Sequence, residues 1–172
     1  MSLNLEQATG LNHVHAVATA GAGLTGLSGA ATTHSMSIFG YTINGVAYAN
    51  PIRSAVATPT TDGNTATTAQ LALAINQSRV YVWGVNAAGT TTLFAGPVAS
   101  WANASGTSSG AVPLQFPPVP ATFAAVAYVV ISNGSNGAAF APGTTNWNAT
   151  GITVGTVVNL AGNLPSVPPA TP

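Results

Sequence analysis

Residues 79–97, RVYVWGVNAAGTTTLFAGP, constrain the fold more than any other stretch of the chain. Val80, Val82 and Val85 interleave with Tyr81 and Trp83, and β-branched and aromatic side chains suit a pleated surface. The run stops at Asn86-Ala87-Ala88-Gly89, and β-type residues resume from Thr90 to Phe94, which reads as two antiparallel strands joined by a short loop. Gly89 accepts the positive φ such a loop needs, and Asn86 can bond its own backbone. The hairpin is expected to be the central pair of an all-β domain.

The flanking chain extends the same pattern. Ile38, Phe39, Tyr41 and Ile43 lead into Asn44-Gly45, and Val46 to Tyr48 lead out; Asn-Gly between β-type runs signals a type I′ hairpin turn. In residues 65–76, TATTAQLALAIN, Leu71, Leu73 and Ile75 alternate with Gln70, Ala72 and Ala74, a period of two that predicts a strand. A short strand is expected over residues 98–101 and a Gly/Ser/Asn loop over 103–110. Pro113, Pro117, Pro118 and Pro120 exclude a central strand after it. Residues 121–131, ATFAAVAYVVI, are continuously apolar and bounded by turn residues, which predicts a strand covered on both faces. Residues 152–160 read as the last strand.

The prediction is therefore an antiparallel sandwich or jelly-roll-like barrel of about eight or nine strands. It has three parts. Residues 1–36, in which Leu3, Leu5, Leu11, Leu24 and Leu27 follow no period and glycines recur, are expected as an extended N-terminal arm. Residues 37–162 form the β-sandwich domain, and residues 163–172 a Pro-rich C-terminal tail.

Charge decides what such a domain is suited for. Only 2% of the 172 residues are charged, against roughly 25% in an ordinary soluble domain. The four are Glu6, Arg53, Asp62 and Arg79. Two arginines cannot neutralise a nucleic-acid backbone, and they make no patch for an anionic membrane. No apolar run reaches the roughly 18 residues of a membrane helix, and the aromatic girdles of a transmembrane barrel are missing. Cysteine is absent, which removes disulfides and thiolate chemistry. The first residues show no basic segment followed by an apolar one, so a secretory signal is not expected within them. A surface this poor in charge is expected to be covered by copies of itself or by a larger assembly.

Candidates for chemistry are few. His13 and His15 share one face of an extended segment, a spacing that can hold zinc or copper, but a third ligand would have to be His34 or come from another subunit. Polar residues without a metal are the plainer reading, and no cofactor is expected. Glu6 and Asp62 would have to lie within roughly 10 Å of each other to act as a carboxylate pair, which is not expected with Glu6 in the arm; Asp62 before Gly63 reads as an Asx-turn residue, paired with Arg53 or Arg79. His34 and Asp62 lack the Gly-x-Ser-x-Gly elbow of a hydrolase, and residues 21–26, GAGLTG, match a dinucleotide fingerprint by letter alone. No catalytic residue is expected. Trp83, Trp101 and Trp147 belong to core or interface, with Trp147 and Trp101 the two candidates for a ligand or subunit contact.

Read in order, the strand around Ile43-Asn44-Gly45, the loop Thr58-Pro59-Thr60-Thr61-Asp62, VYVWGVNAAG over 80–89, Gly96-Pro97, Pro117-Pro118-Val119-Pro120 and GTTNWNAT over 143–150 resemble small virion structural proteins of tailed bacteriophages. Within that group the chain is similar to capsid decoration, or cement, proteins. The resemblance implies a non-enzymatic β-rich unit, dimeric or trimeric, on the outer capsid surface of the virion, with the major capsid protein and copies of itself as partners. It brings no list of functional residues, and a tail or fibre role is equally compatible with it. The alternative is an extracellular or fibre-borne module binding glycans or another cell-surface ligand through Trp147. An ice- or surface-binding protein, suggested by the many Thr and Ala residues, lacks the regular repeat that a flat threonine array requires.

Overall fold

The computed structural model describes residues 16–100, 113–134 and 137–168. Eleven strands make up these parts: β1 (Ala16–Ala18), β2 (Thr33–Met36), β3 (Phe39–Ile43), β4 (Val46–Asn50), β5 (Arg53–Ala57), β6 (Gln77–Asn86), β7 (Thr91–Ala95), β8 (Ala99–Ser100), β9 (Phe123–Asn133), β10 (Ile152–Val154) and β11 (Val158–Asn159). They pair antiparallel in three sheets, one ordered β10-β9-β6-β7 with β11 on β9 and β8 on β6, one ordered β1-β3-β4, and the pair β2-β5. The architecture is the antiparallel sandwich that the alternation predicts.

The central ladder is β6 against β9, from Gln77 opposite Asn133 to Asn86 opposite Phe123. Both strands are buried on both sides, and the two sides are different cores. Tyr81, Trp83 and Val85 point into the larger one with Ala127, Val129 and Ile131, Phe39 and Tyr41 of β3, and Leu71, Phe140 and Trp147. Val80 and Val82 point into the smaller one with Phe94, Tyr128 and Val130. That second core is roofed by Leu114, Phe116 and Val119 of the proline-rich segment and by Leu160 and Leu164 near the C-terminus. The prolines rule out a central strand and yet cover one, because an extended segment with few N–H groups can lie across a sheet without pairing to it.

Strand β9 does not keep one alternation along its length. Trp83 faces Ala127 and Gly84 faces Ala125, so Val126 is an extra residue, and Val126 and Ala127 both reach the larger core. Beyond this bulge the parity reverses, with Ala124 in the larger core and Phe123 and Ala125 in the smaller. The partner position has no room for a side chain. A Cβ on Gly84 would stand 2.6 Å from the ring of Phe94.

The β3-β4 turn follows the sequence reading: Asn44 and Gly45 have φ of 51° and 77°. The hairpin continues beyond it. Phe39 faces Asn50, and farther along Met36 faces Arg53 and Thr33 faces Ala57, so residues 33–57 form one long hairpin bent between β2-β3 on one side and β4-β5 on the other.

Three expectations change. Residues 16–36, assigned above to the arm, are part of the folded body: β1 pairs with β3, β2 with β5, and Ala18, Ala22, Leu24 and Leu27 lie in the larger core. Glycines make regular structure costly there, and the chain uses them instead to reverse direction, with Gly26 at φ 82°. Residues 65–76 are not a strand; Ala69–Leu71 form a 3-10 turn, Leu71 and Leu73 are buried, and Leu73 exchanges hydrogen bonds with Phe140. A buried arginine takes two main-chain carbonyls there that a strand would need. The final strand over 152–160 is two short ones, β10 and β11, and the register on β9 shifts by one residue between them, from Val154 opposite Ile131 to Val158 opposite Tyr128. The arm's first fifteen residues lie outside the described residues, as does the predicted loop at 103–110.

Candidate functional surface

The charged side chains within the described residues hold loops in place. Asp62 is 3% exposed, and its Oδ2 accepts the N–H groups of Asn64 (3.1 Å) and Thr65 (3.0 Å) and the Thr65 hydroxyl (3.0 Å). Its Oδ1 accepts the Ala95 N–H at 2.9 Å, which fastens the loop to the edge of β7. The Asx-turn reading holds, while the expected pairing with an arginine is replaced by main-chain donors. Arg79 reaches under the 3-10 turn, where its Nη1 donates to the carbonyls of Gln70 and Ala72. Beside it the Tyr81 hydroxyl donates to the Leu71 carbonyl at 2.7 Å, and burial holds that phenol far above its ordinary pKa. Arg53 joins the hairpin bend to the β6-β7 loop through Asn50 Oδ1 and the Gly89 carbonyl.

His34 lies in the interior on β2, its ring centroid 6.3 Å from that of Trp83. Its Nδ1 meets the Thr58 hydroxyl at 3.2 Å, and its Nε2 has no partner among the described residues. Burial first, and the charge of Arg53 second, lower its pKa to about 4, so it is neutral at pH 7. His13 and His15 lie outside the described residues; among the described residues no three His, Cys, Asp or Glu side chains group as metal ligands.

Of the two tryptophans singled out, Trp101 lies outside the described residues. Trp147 is in its expected loop but is 2% exposed, packed at 5.5 Å from Phe140 and 6.5 Å from Trp83, with its indole N–H donated to the Thr33 carbonyl at 3.0 Å. It is a core residue that ties the 142–150 loop to β2. A shallow groove beside it, about 470 Å³ and lined by Leu24, Leu27, Val154 and Val157 among others, contains no ionisable group.

The solvent-open surface mixes uncharged polar residues, such as Asn64, Thr67, Gln70 and Asn76, with small and apolar ones. Ile38 (67% exposed) and Ile52 (70%) sit on opposite arms of the bent hairpin at its corner, and Val46 (53%) sits at its tip. Between them β4 shows Ala47 and Ala49 to solvent and, among the described residues, has no neighbour on its outer side in the sheet order β1-β3-β4. The sequence reading did not single out this strand. Its signal was present as VAYANPI, seven residues with β-forming and small side chains and without a charge. No family model, curated protein or solved structure matches the chain.

Proposed function

We propose that this chain is a non-enzymatic virion component, a decoration protein that binds the outer capsid surface of a tailed phage and stabilises the head, with the major capsid protein and further copies of itself as partners. The observation that carries the reading is the outer surface. Arg53, Asp62 and Arg79 are engaged with main-chain groups, and the exposed positions include Ile38, Val46 and Ile52. A surface of that kind gains more from being covered by protein than from standing in water. The order of turn and loop motifs resembling phage virion proteins agrees with it. Of the two aromatics the glycan-binding alternative could use, Trp147 is buried and Trp101 lies outside the described residues, so the described surface lends that reading less support.

Attachment of this type is dominated by apolar burial and main-chain pairing, so ionic strength has little to screen. Purified protein mixed with undecorated expanded capsids is expected to cosediment equally well in low and high salt. Failure to cosediment, or a steep loss of binding as salt rises, overturns the reading.

A further inference from the structure

We propose that the free edge of β4 is where a second copy of this chain attaches, by antiparallel pairing about a two-fold axis at Tyr48, so that two β1-β3-β4 sheets become one sheet of six strands. The inference rests on one part of the function proposed above, that copies of the chain cover one another, and is independent of attachment to a capsid.

The geometry starts at the turn. A two-residue Asn44-Gly45 connection is flanked by a hydrogen-bonded pair, Ile43 with Val46, and alternation then makes Tyr41–Tyr48 and Phe39–Asn50 hydrogen-bonded pairs as well. Ala47 and Ala49 fall between them, opposite Thr42 and Gly40, so their N–H and C=O groups point away from β3. Gly40 shows the same phase on the opposite side, where its carbonyl accepts the Thr19 N–H at 2.9 Å. Two residues on β4 therefore present two donors and two acceptors outward, and both are exposed.

Natural edges are blunted by charge, proline, bulges or cover. Strand β5 has such protection: its pairing with β2 is irregular between His34 and Met36, Ala55 is at φ 50°, and the Ala55 N–H is taken by Ser35 Oγ. The β7 edge is occupied by the Asp62 loop through the Gly63 N–H on the Leu93 carbonyl. Strand β4 has neither device, and its outward-facing side chains are alanines.

Charge and symmetry favour a second copy as the occupant. With Tyr48 opposite its own counterpart, Ala47 of each copy faces Ala49 of the other, and the outward groups match in two hydrogen-bonded pairs. Residues 46–52 hold no charge. The nearest one, Arg53, is then separated from its counterpart by ten strand positions, roughly 30 Å, so the approach meets no like-charge repulsion.

The test uses the full chain alone. Light scattering and amide hydrogen exchange are followed across about a hundredfold dilution. At high concentration the mass is expected to be an even multiple of 16.9 kDa, with the Ala47 and Ala49 amides protected; dilution should lower the mass and speed exchange at those two amides at least tenfold. Ala49→Pro removes only an outward N–H and is expected to give a folded protein of lower mass; if it misfolds, Ala47→Lys, which leaves the backbone intact, serves in its place. A single-copy mass at every concentration overturns the proposal. So does an assembly in which both amides exchange freely, or protection that ignores dilution, as a strand from the same chain would produce. Each of these outcomes leaves the capsid-binding measurement untouched.

Discussion

The β6-β9 pair and the β3-β4 hairpin are both antiparallel ladders rich in Val, Ala and Tyr, yet they differ in what surrounds them. Around β6 and β9 every residue from Ser78 to Val85 and from Val126 to Asn133 is buried, under a second sheet on one side and under the proline-rich and C-terminal segments on the other. In the hairpin, Phe39, Tyr41 and Ile43 face the core while the four residues of β4 from Val46 to Ala49 are exposed or half-buried. Strand type alone does not decide burial; position in the layer order does. In a chain with almost no charge, the outer ladder also carries none of the solvated side chains that normally mark an outer surface.

The contrast sets a scale for substitutions. Trp83→Ala, which empties the larger core beneath β6, is expected to lower unfolding free energy by about 3–5 kcal/mol in a denaturant titration. Asp62→Ala strands the donors of Asn64, Thr65 and Ala95 and is expected to cost about 2–3 kcal/mol by the same measurement. Acid acts on the join between the hairpin and the central sheet. His34 has a folded pKa near 4 against about 6.5 unfolded, so the unfolded chain binds the proton first. The stability it contributes is complete above pH 6.5, is lost as pH falls toward 4, and amounts to about 2 kcal/mol between pH 7 and pH 5; His34→Leu should remove that slope from a pH series of melts. Ser132→Ala leaves the Ser78 hydroxyl without its 2.7 Å partner between β6 and β9 and is expected to cost about 1 kcal/mol, with less than additive loss when Ser78→Ala is combined with it. At the other end, Ile38→Ser and Ile52→Ser on the outer hairpin should each change stability by no more than about 0.5 kcal/mol. A large loss from either in dilute solution would show that the hairpin corner is covered within one chain.

The central hairpin, the Asn44-Gly45 turn and the doubly covered β9 were legible because each rests on local chemistry: interleaved β-branched and aromatic residues, two positive-φ positions, an unbroken apolar run. Residues 65–76 were misread because LALAI alternates with the right period, and only a residue from the next strand, Arg79, shows that the carbonyls of Gln70 and Ala72 are already in use. Residues 16–36 were misread for a related reason. Their burial depends on partners far along the chain, such as Asn159 Oδ1 for the Leu24 N–H at 2.6 Å and Trp147 for Ala31 and Thr33, and no local period reports that. Trp147 illustrates the limit for sites: its loop was placed correctly, but whether a loop aromatic points out or in is set by the neighbours, here Phe140 and Trp83. The edge of β4 went unnoticed because what distinguishes it is the lack of protective residues, and a lack has meaning only once the strand order is known.

The small hydroxyl contact between Ser78 and Ser132 answers a difficulty that an all-apolar ladder creates. Where both faces are apolar, sliding one strand along its neighbour by two positions keeps the same side chains inward, so the inward–outward pattern by itself does not choose between such alignments. A dry interior with a single matched pair of alcohols, next to an asparagine whose amide nitrogen holds the carbonyls of Leu73 and Ala138, admits one alignment and penalises its neighbours. The polar atoms near the end of β9 thus act as a locating pin, fixing where the two longest strands stop relative to each other.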